Sequence, residues 1–524
     1  MSGAVPVVPV HDHVRRAAGR RPDAVALVGE RRVTYAELDA RSNAFARALW
    51  RHSAERGDRI ALWLPKSHAA VVAIYGALKA GCAYVPLDPE QPPGRAGSIL
   101  GDAEPTVLVT DTAHLGQLAS RGLPGSLVLV VLVDASGPSL EGGIPVLPFH
   151  TFAGGSTQPL ADAAVADDLA ILLYTSGSTG VPKGVRITFR NLHTFVSWAI
   201  REMDLRESDV FANHAGLHFD LSTFDLFAAA AVGAAVWIVS EEEARVPDAL
   251  ADGLTRHGVT VWYSVPSILC LMVAAGSFDG VSARALRYVL FAGEVFPIKQ
   301  LRELRARLPG AALYNLYGPT ETNVCTYHRV NAIDGRESPV PIGRPLEGLE
   351  AWIVDELGEP CGDGEIGELV VRGPCVTPGY WRRTGYEAEG DHRRGIHPTG
   401  DLVSIEDGEY VYHGRKDRMI KVNGFRVELG EIEAALLQHE SVAEAAVVAA
   451  RIADSTRLVA FYSSAPTHEG VSLLQMKAHC RDRLPRYMVP HALTRLVRLP
   501  RNANGKIDLV RLAELAGRQR PVNQ

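Results

Sequence analysis

The chain has 524 residues, 47% apolar and 22% charged, which is ordinary for a globular protein but too long for one compact core. A formal net charge of -6 offers no basic surface for nucleic acid, and no apolar run reaches the ~20 residues of a membrane span. Six scattered cysteines without C-x-x-C spacing predict a reducing, cytoplasmic setting. We therefore expect neither nucleic acid nor a membrane as a partner.

Helical and strand patterns alternate through the first part of the chain. Residues 35–49 have apolar positions at helical spacing, with Thr34 placed to cap the helix. A strand at 59–64 and a helix at 68–79 follow. Two continuous apolar runs, 106–110 and 127–133, predict buried parallel strands. The Gly-, Ser-, Pro- and Ala-rich residues from about 134 to 165 predict a surface loop.

Strand–helix units continue, with strands predicted at 235–239, 259–263 and 288–291. From Gly343 the chain changes to short strands separated by Gly and Pro turns. After about Asp417 it becomes an α+β pattern of about 105 residues. The sequence predicts an α/β fold with parallel-rich sheets and flanking helices in a large N-terminal domain, residues 1–416. Residues 340–416 would form a small β-rich subdomain, and 417–524 a small mobile domain joined by a hinge.

Residues 174–185 read Tyr-Thr-Ser-Gly-Ser-Thr-Gly-Val-Pro-Lys-Gly-Val and follow the apolar run 169–173. Small residues let backbone N–H groups approach an anion, while the hydroxyls and Lys183 add donors and positive charge. We therefore predict a phosphate-binding loop between a buried strand and a helix that begins near Asn191. It is not a Walker P-loop, because its lysine stands between proline and glycine.

Further motifs follow in order. They are Asn-Leu-Tyr-Gly-Pro-Thr-Glu at 315–321, Thr-Gly-Asp at 399–401, the segment from Gly414 to Glu433, and Leu-Pro-Arg-Asn-Ala-Asn-Gly-Lys-Ile-Asp at 499–508. Together with the loop, this set resembles the adenylate-forming superfamily, and most closely the adenylation enzymes of nonribosomal peptide synthesis. The resemblance runs from Thr34 to about Leu512. It implies that ATP and Mg²⁺ are used to convert a carboxylate into an acyl-adenylate, with release of pyrophosphate.

The resemblance implies how the triphosphate is held. The β- and γ-phosphates would be bound by Thr175, Ser176, Gly177, Ser178, Thr179, Gly180 and Lys183. Glu321 would help to hold Mg²⁺, and Thr320 would contact the α-phosphate. Lys506 would bridge the substrate carboxylate, the α-phosphate and the ribose in the transition state, where charge builds up and a fixed cation is most effective.

The resemblance also implies how the nucleoside is held. Tyr317 would lie against adenine. Asp401 would accept both ribose hydroxyls, which requires an ionised carboxylate that only accepts hydrogen bonds. Arg415 would support the ribose and the phosphates.

The segment from Phe219 to Phe224 resembles the motif in which an aspartate, here Asp220, meets the ammonium group of the substrate. An anionic side chain in a partly buried pocket is costly without a cation, so Asp220 favours an amino acid substrate. By motif alignment the pocket would be completed by Phe219, Leu221, Phe224, Ser264, Leu290, Ala292, Leu316, Val324 and Cys325. This wall is apolar apart from Ser264 and carries no charge to match a charged side chain. We expect a small neutral amino acid, with alanine first, then serine, glycine and cysteine.

A second half-reaction is implied, in which a phosphopantetheine thiol attacks the aminoacyl-adenylate. The small domain would rotate about Asp417, and Lys421 and Gly424 would line the approach of the thiol, although Gly424 could also be a simple turn glycine. Neither a condensation motif nor a carrier attachment site is found, so we expect a free-standing enzyme. It would carry no covalent cofactor and would use a separate carrier protein as partner.

Three alternatives remain open at this stage. A β-amino acid could still reach Asp220, because a shifted amine lies within range. An acyl-CoA synthetase would apply the same chemistry to a plain carboxylic acid. A scaffold that binds nucleotide or carrier without catalysis would need no Lys506, Glu321 or Asp401.

Overall fold

A computed structural model describes residues 7–134, 143–160, 164–177, 181–279, 285–331, 333, 335–362, 364–383, 390–452, 455–464, 471–501 and 507–518. The helices are α1 Asp12–Arg20, α2 Tyr35–Arg51, α3 His68–Lys79, α4 Pro93–Ala103, α5 Thr112–Ala119, α6 Phe189–Glu202, α7 Leu221–Val232, α8 Pro247–His257, α9 Pro266–Ala274, α10 Ile298–Arg307, α11 Leu429–Leu437, α12 Leu473–Arg481 and α13 Leu509–Arg518.

The strands up to Pro148 are β1 Val25–Val28, β2 Val33–Thr34, β3 Arg59–Trp63, β4 Ala83–Pro86, β5 Val107–Thr110, β6 Leu129–Leu132 and β7 Val146–Pro148. The next are β8 Leu169–Thr175, β9 Lys183–Thr188, β10 Val210–Asn213, β11 Ala235–Ile238, β12 Val261–Ser264, β13 Tyr288–Phe291, β14 Ala312–Tyr317, β15 Thr326–Val330 and β16 Arg344–Pro345. The last are β17 Glu350–Val354, β18 Gly367–Arg372, β19 Ile396–Glu406, β20 Glu409–Arg415, β21 Met419–Val422, β22 Phe425–Glu428, β23 Val442–Ile452, β24 Ser455–Ser464 and β25 Ala492–Arg495.

The chain divides into two compact units. The first comprises Met1–Pro89, Leu100–Tyr174 and Gly184–Lys416, and the second comprises Glu90–Ile99, Thr175–Lys183 and Asp417–Gln524. The change from Lys416 to Asp417 therefore lies where the sequence places its hinge. Two short segments from earlier in the chain, including most of the phosphate loop, group with the second unit. The hinge motion itself stays a prediction.

Two large sheets of mostly parallel strands make up most of the first unit. One has nine strands in the order β16-β15-β14-β13-β12-β10-β11-β1-β2, and the other has seven in the order β7-β6-β5-β3-β4-β8-β9. Strands β10 to β14 pair in parallel along the first sheet, and β14 pairs antiparallel with β15. A separate antiparallel sheet, β17-β18-β19-β20, is the β-rich part. The predicted α/β fold class is confirmed.

Side-chain hydrogen bonds cap the first turns of two helices in the first unit. Thr34 caps α2 through a capping box with Glu37, and Thr188 forms a similar reciprocal pair with Asn191 at the start of α6. The prediction of one loop from 134 to 165 is wrong in part. Strand β7 and a 3₁₀ turn at Phe149–Gly154 lie inside it, because Val146 and Leu147 extend the sheet beside β6.

Two apolar clusters pack against opposite faces of the nine-stranded sheet. Successive residues of a strand point to opposite faces, so Val261 and Tyr263 of β12 join one cluster while Trp262 joins the other. The same alternation divides Leu290 from Phe291 on β13. The first cluster also contains residues of α6 and α7, and the second contains residues of α8, α9 and α10. Side-chain phase along these strands therefore decides which residues reach the α7 side.

The second unit has a hairpin and a three-stranded sheet. Strands β21 and β22 pair across a two-residue loop of Asn423 and Gly424, both with positive φ, of 50° and 82°. Asn-Gly is the preferred sequence for such a turn, because both positions are left-handed. The sheet has the order β23-β24-β25. Across the described part of the chain, no helix has the length and apolar character of a bilayer span.

Candidate functional site

The Asn-Leu-Tyr-Gly-Pro-Thr-Glu motif occupies the connection between the antiparallel strands β14 and β15. The connection is tight, because a side chain added at Gly318 would place its Cβ 1.6 Å from the carbonyl oxygen of Asn323. Asn323 itself has a φ of 52° and binds the N–H of Val324 with its own side-chain oxygen at 2.8 Å. Glycine at position 318 is therefore required by the fold of the motif.

Tyr317, Asp401 and Arg415 form one buried cluster. The Tyr317 hydroxyl donates to Oδ2 of Asp401, and Nη1 of Arg415 lies 2.8 Å from Oδ1. Asp401 and Arg415 are directly paired residues of β19 and β20, so the ladder holds the ion pair in register. Burial, followed by the Asp401 charge, raises the pKa of Tyr317 well above its ordinary value, so this phenol is a neutral donor.

The cluster leaves Asp401 with capacity for further hydrogen bonds. A carboxylate has about four acceptor positions, and those two donors take one on each oxygen. Asp401 is also only 3% exposed, so water does little to solvate its charge. This arrangement suits a carboxylate that accepts two hydroxyls of one ligand. The ribose role of Asp401 remains a prediction.

Glu321 is fully buried and held by neighbouring polar groups. The Tyr380 hydroxyl donates to Oε1 at 2.8 Å, and the backbone N–H of Thr377 donates to the Glu321 carbonyl at 2.7 Å. Within the described ranges no group of three or more His, Cys, Asp or Glu residues could hold a metal ion. One carboxylate suits Mg²⁺ bound mainly through phosphates, since this ion is often held by one or two carboxylates plus substrate oxygens. Thr320, one residue earlier, is partly exposed.

The two ends of the segment predicted as the phosphate loop lie in strands. Thr175 ends β8, and Lys183, which is buried, begins β9. Gly177 has no room for a side chain, because its Cβ would lie 2.2 Å from the Val181 carbonyl oxygen. In the same unit the Ser176 hydroxyl donates to the Arg426 carbonyl at 2.9 Å. The predicted residues Ser178, Thr179, Gly180 and Lys506 lie outside the described residues.

Asp220 stands at the N-terminus of α7 but does not cap it. Its side chain makes no capping hydrogen bond, while its carbonyl accepts the Thr223 hydroxyl at 2.6 Å. The Asp220 side chain therefore does not serve as the cap of α7. The Asp220 charge contributes, after burial, to raising the pKa of the Tyr263 phenol. Phe219 and Leu221, on either side of Asp220, are partly exposed.

Most of the predicted apolar wall lies in one cluster. Its buried members there are Phe224, Leu290, Ala292, Leu316, Val324 and Cys325, with Leu221 packed against them. Burial raises the pKa of the Cys325 thiol to about 12, so it is a neutral apolar neighbour and not a reactive thiolate.

Ser264 is not brought together with this wall. Its hydroxyl accepts the indole N–H of Trp262 at 2.9 Å, on the opposite face of β12. The neighbouring Tyr263, which the sequence prediction did not include, lies in the same cluster as Leu290, with its ring edge-to-face with Phe224 at 5.6 Å between centroids. The signal that could have found Tyr263 is strand alternation relative to Leu290 and Leu316 on the neighbouring strands.

The predicted hinge and thiol-approach residues lie in the second unit. Asp417 binds the N–H of Met419 through its side chain at 3.1 Å. Lys421 lies on β21, opposite Arg426, and Gly424 is the second residue of the Asn-Gly turn. Gly424 thus has a structural reason to be glycine, and its role in thiol passage stays a prediction.

The sequence matches the AMP-binding enzyme family over residues 14–381 and the C-terminal domain of AMP-binding enzymes over 431–506. The chain therefore belongs to the AMP-binding enzyme family, and it is an AMP-forming amino acid ligase. All six of its cysteines are free thiols.

Two relatives match along almost their whole length. The L-proline--[L-prolyl-carrier protein] ligase of Streptomyces coelicolor is 51% identical over 98% of this chain and 97% of its own. The enzyme of the same name from Pseudomonas fluorescens is 42% identical over 96% of this chain and 98% of its own. The Vibrio cholerae adenylation domain AlmE, solved with glycyl-adenosine-5'-phosphate, shares the fold at a TM-score of 0.82 and 23% identity, covering 99% of both chains.

Proposed function

We propose that this enzyme adenylates L-proline with ATP, releasing pyrophosphate, and then transfers the prolyl group to the phosphopantetheine thiol of a separate carrier protein. The observation that carries the proposal is the 51% identity, over nearly both whole chains, to a ligase that bears this name. The buried cluster of Tyr317, Asp401 and Arg415 adds support. ATP and Mg²⁺ are the cofactors that the family implies, and the cytoplasm remains the expected location.

The alanine expectation gives way to proline. It rested on the volume taken up by Phe224, Leu290 and Leu316, which limits the size of a side chain. Proline meets that limit differently, because its three methylenes close back onto the amine and form a compact apolar ring. A one-methylene difference changes discrimination by only ~1–3 kcal/mol, so volume alone could not separate the two amino acids.

The pocket chemistry supports a secondary ammonium group in an apolar setting. Asp220 supplies the anion that the ring ammonium needs. Phe224, Leu290 and Tyr263 offer an apolar surface for the ring, and the neutral Tyr263 adds no charge. A charged side chain would find no counterion among the described members of this wall.

The first half-reaction would then use the residues of the nucleotide cluster. Asp401 and Arg415 would fix the ribose and thereby the α-phosphate, toward which Asp220 orients the proline carboxylate. Carboxylate attack would form the acyl-phosphate bond, and the bond to pyrophosphate would break. Glu321 would hold Mg²⁺, which neutralises phosphate charge, and Lys506 would stabilise the charge that develops in the transition state.

Amino acid-dependent pyrophosphate exchange tests the first step. The panel should contain L-proline, D-proline, L-alanine, glycine, β-alanine and the larger ring analogue L-pipecolate. We expect L-proline to exceed L-alanine by at least about tenfold in kcat/KM. Exchange that is strongest with alanine or with a β-amino acid would overturn the proposal.

The thiol acceptor is tested separately by mass spectrometry. A holo-carrier protein and free coenzyme A are each incubated with the enzyme, ATP and L-proline. Prolyl-thioester on the carrier, with none on coenzyme A, is expected. Coenzyme A esters of plain carboxylic acids, without amino acid activation, would instead favour an acyl-CoA synthetase.

Paired variants on β12 test the pocket wall. Tyr263→Phe removes the hydroxyl near Asp220 and should raise the KM for L-proline severalfold, about 1 kcal/mol for one hydrogen-bonding group. Ser264→Ala is the matched control, because it changes a neighbouring hydroxyl on the other face of the strand. The opposite pattern, with KM sensitive only to Ser264, would return Ser264 to the pocket.

A further inference from the structure

A buried polar cluster lies beneath the segment that delivers Asp220. Strand β10 ends at Asn213 and α7 begins at Leu221, so residues 214–220 span the gap between them. Asn213 and Asp225, one at each side of this gap, are 0% and 1% exposed. The amide Nδ2 of Asn213 donates to Oδ2 of Asp225 at 3.1 Å.

The amide oxygen of Asn213, Oδ1, and the second carboxylate oxygen of Asp225, Oδ1, are buried and have no hydrogen-bond partner among the described residues. Leaving both acceptors unsatisfied would be costly, because a buried acceptor retains its full desolvation penalty. A single proton on the Asp225 carboxyl would give both oxygens a hydrogen-bond partner. The acid would donate to the amide oxygen while the amide donates to the acid, as in a cyclic acid–amide pair.

The charges around Asp225 are consistent with a neutral acid. Lys66 is the basic group whose charge acts on Asp225, but its Nζ donates to the carbonyls of Asn213 and His214, at 3.1 and 2.6 Å. The charges of Asp220 and Asp225 both contribute, after burial, to raising the pKa of Tyr263 on β12. Burial raises the pKa of Asp225 well above its ordinary value, with the Asn213 hydrogen bond and the Lys66 charge opposing it.

The remaining titratable groups act on Lys66 and its neighbours. Glu241 and Glu243 favour the charged form of Lys66, whose pKa burial lowers to about 8. Burial lowers the pKa of His214 to about 3 and also lowers that of His218, so both rings are neutral. Lys66 is therefore committed to the carbonyls at the end of β10, and the acid–amide pair ties that end to α7.

We propose that Asp225 is a positioning residue for amino acid binding, acting as a neutral acid that pairs with Asn213 and thereby fixes the place of Asp220. This inference rests on the proposed function, because it assumes that Asp220 meets the substrate ammonium. A second anionic carboxylate at position 225 would also compete for that ammonium. A neutral Asp225 leaves Asp220 as the charge that the substrate meets.

The test compares two replacements of Asp225. Asp225→Asn keeps the shape and can form both bonds with Asn213 as an amide pair, so it should stay within about twofold of wild type in the KM for L-proline. Asp225→Ala removes both bonds and should raise that KM about tenfold, with the KM for ATP within about twofold. The exchanged double variant Asn213→Asp with Asp225→Asn restores one acid and one amide, and should recover most of the affinity.

The outcomes separate this inference from the proposed function. The wild-type enzyme is first measured on the amino acid panel, and the variants are then tested with whichever amino acid it activates. If L-proline is inactive, the proposed function fails while the role of Asp225 is still measured. If Asp225→Asn is as impaired as Asp225→Ala, a charge is needed at 225 and the inference is wrong. Equal rises in both KM values, or no rise with Asp225→Ala, would also overturn it.

Discussion

Replacing Asp401 by asparagine is the sharpest test of the nucleotide cluster. The carboxylate accepts hydrogen bonds from Tyr317 and Arg415, and its remaining acceptor positions would receive the two ribose hydroxyls of ATP. Asparagine is nearly the same size but has one acceptor oxygen and no charge. The oxygen of the asparagine must face Arg415, because that group only donates. The amide NH₂ then replaces the oxygen to which Tyr317 and one ribose hydroxyl would donate.

The magnitude follows from the bonds that change. A hydrogen bond to a charged group contributes ~1.5–3 kcal/mol, and the variant loses one ribose bond and weakens the other. A total of about 3 kcal/mol corresponds to a fall of roughly a hundredfold in kcat/KM for ATP. The KM for L-proline should change much less, because Asp220 and the apolar wall are not altered.

Pyrophosphate exchange at varied ATP concentration measures this effect. Tyr317→Phe is the matched control: it removes one donor to Asp401 but keeps the charge, so we expect only a severalfold fall, about 1 kcal/mol. Thermal unfolding of each variant shows whether the fold is retained. If Asp401→Asn stays within about threefold of wild type in kcat/KM for ATP, Asp401 does not hold the ribose.

Three other predictions concern catalysis, backbone space and proton binding. Lys506→Ala should reduce pyrophosphate exchange by about 10²–10³-fold while calorimetry still detects ATP binding, and near-full exchange would refute its transition-state role. Gly318→Ala should lower the unfolding temperature and raise the KM for ATP, because the new Cβ would lie 1.6 Å from the Asn323 carbonyl oxygen. Gly310→Ala is the control and should have little effect, because a Cβ at that position has no atom within 4 Å. The pKa of Asp225 is raised in the native state, so the folded protein keeps a proton that the unfolded chain releases above about pH 4. The free energy of unfolding should therefore fall as the pH rises, and this carboxyl contributes up to ~1.4 kcal/mol per pH unit to that fall. Asp225→Asn should lack that contribution when urea unfolding is compared between about pH 5 and pH 8, and parallel pH profiles for the two proteins would contradict it.

Sequence patterns predicted the elements whose signals are local. Thr34 and Glu37 enclose the first turn of α2, so its start could be read from four residues. The run at 106–110 gave a parallel strand because its three central residues, Val107, Leu108 and Val109, are all apolar. Strand β7 was missed, since its few apolar residues lie among Gly, Ser and Pro and gain their stability from pairing with β6.

The same continuous apolar character explains why the sequence alone did not separate the face of Ser264 from the face of Tyr263. A strand that is buried on both faces shows no alternation of polar and apolar residues, so its phase cannot be read from its own sequence. Only the neighbouring strands reveal which residues share a face with Leu290. The Asn213–Asp225 pair was missed for a related reason, because its two members are separated along the chain and neither belongs to a motif.

The two-sided burial of β12 has a consequence for altering substrate choice. Adjacent residues of this strand have different surroundings: Tyr263 lies in the cluster that contains α6 and α7, and Trp262 packs with α8, α9 and α10. In a mutant library that randomises a continuous stretch of β12, about half of the substituted positions would therefore be packing residues, and their replacement would destabilise the fold. Libraries restricted to Tyr263, Leu290 and Leu316 would vary selectivity while leaving Trp262 and its helices undisturbed.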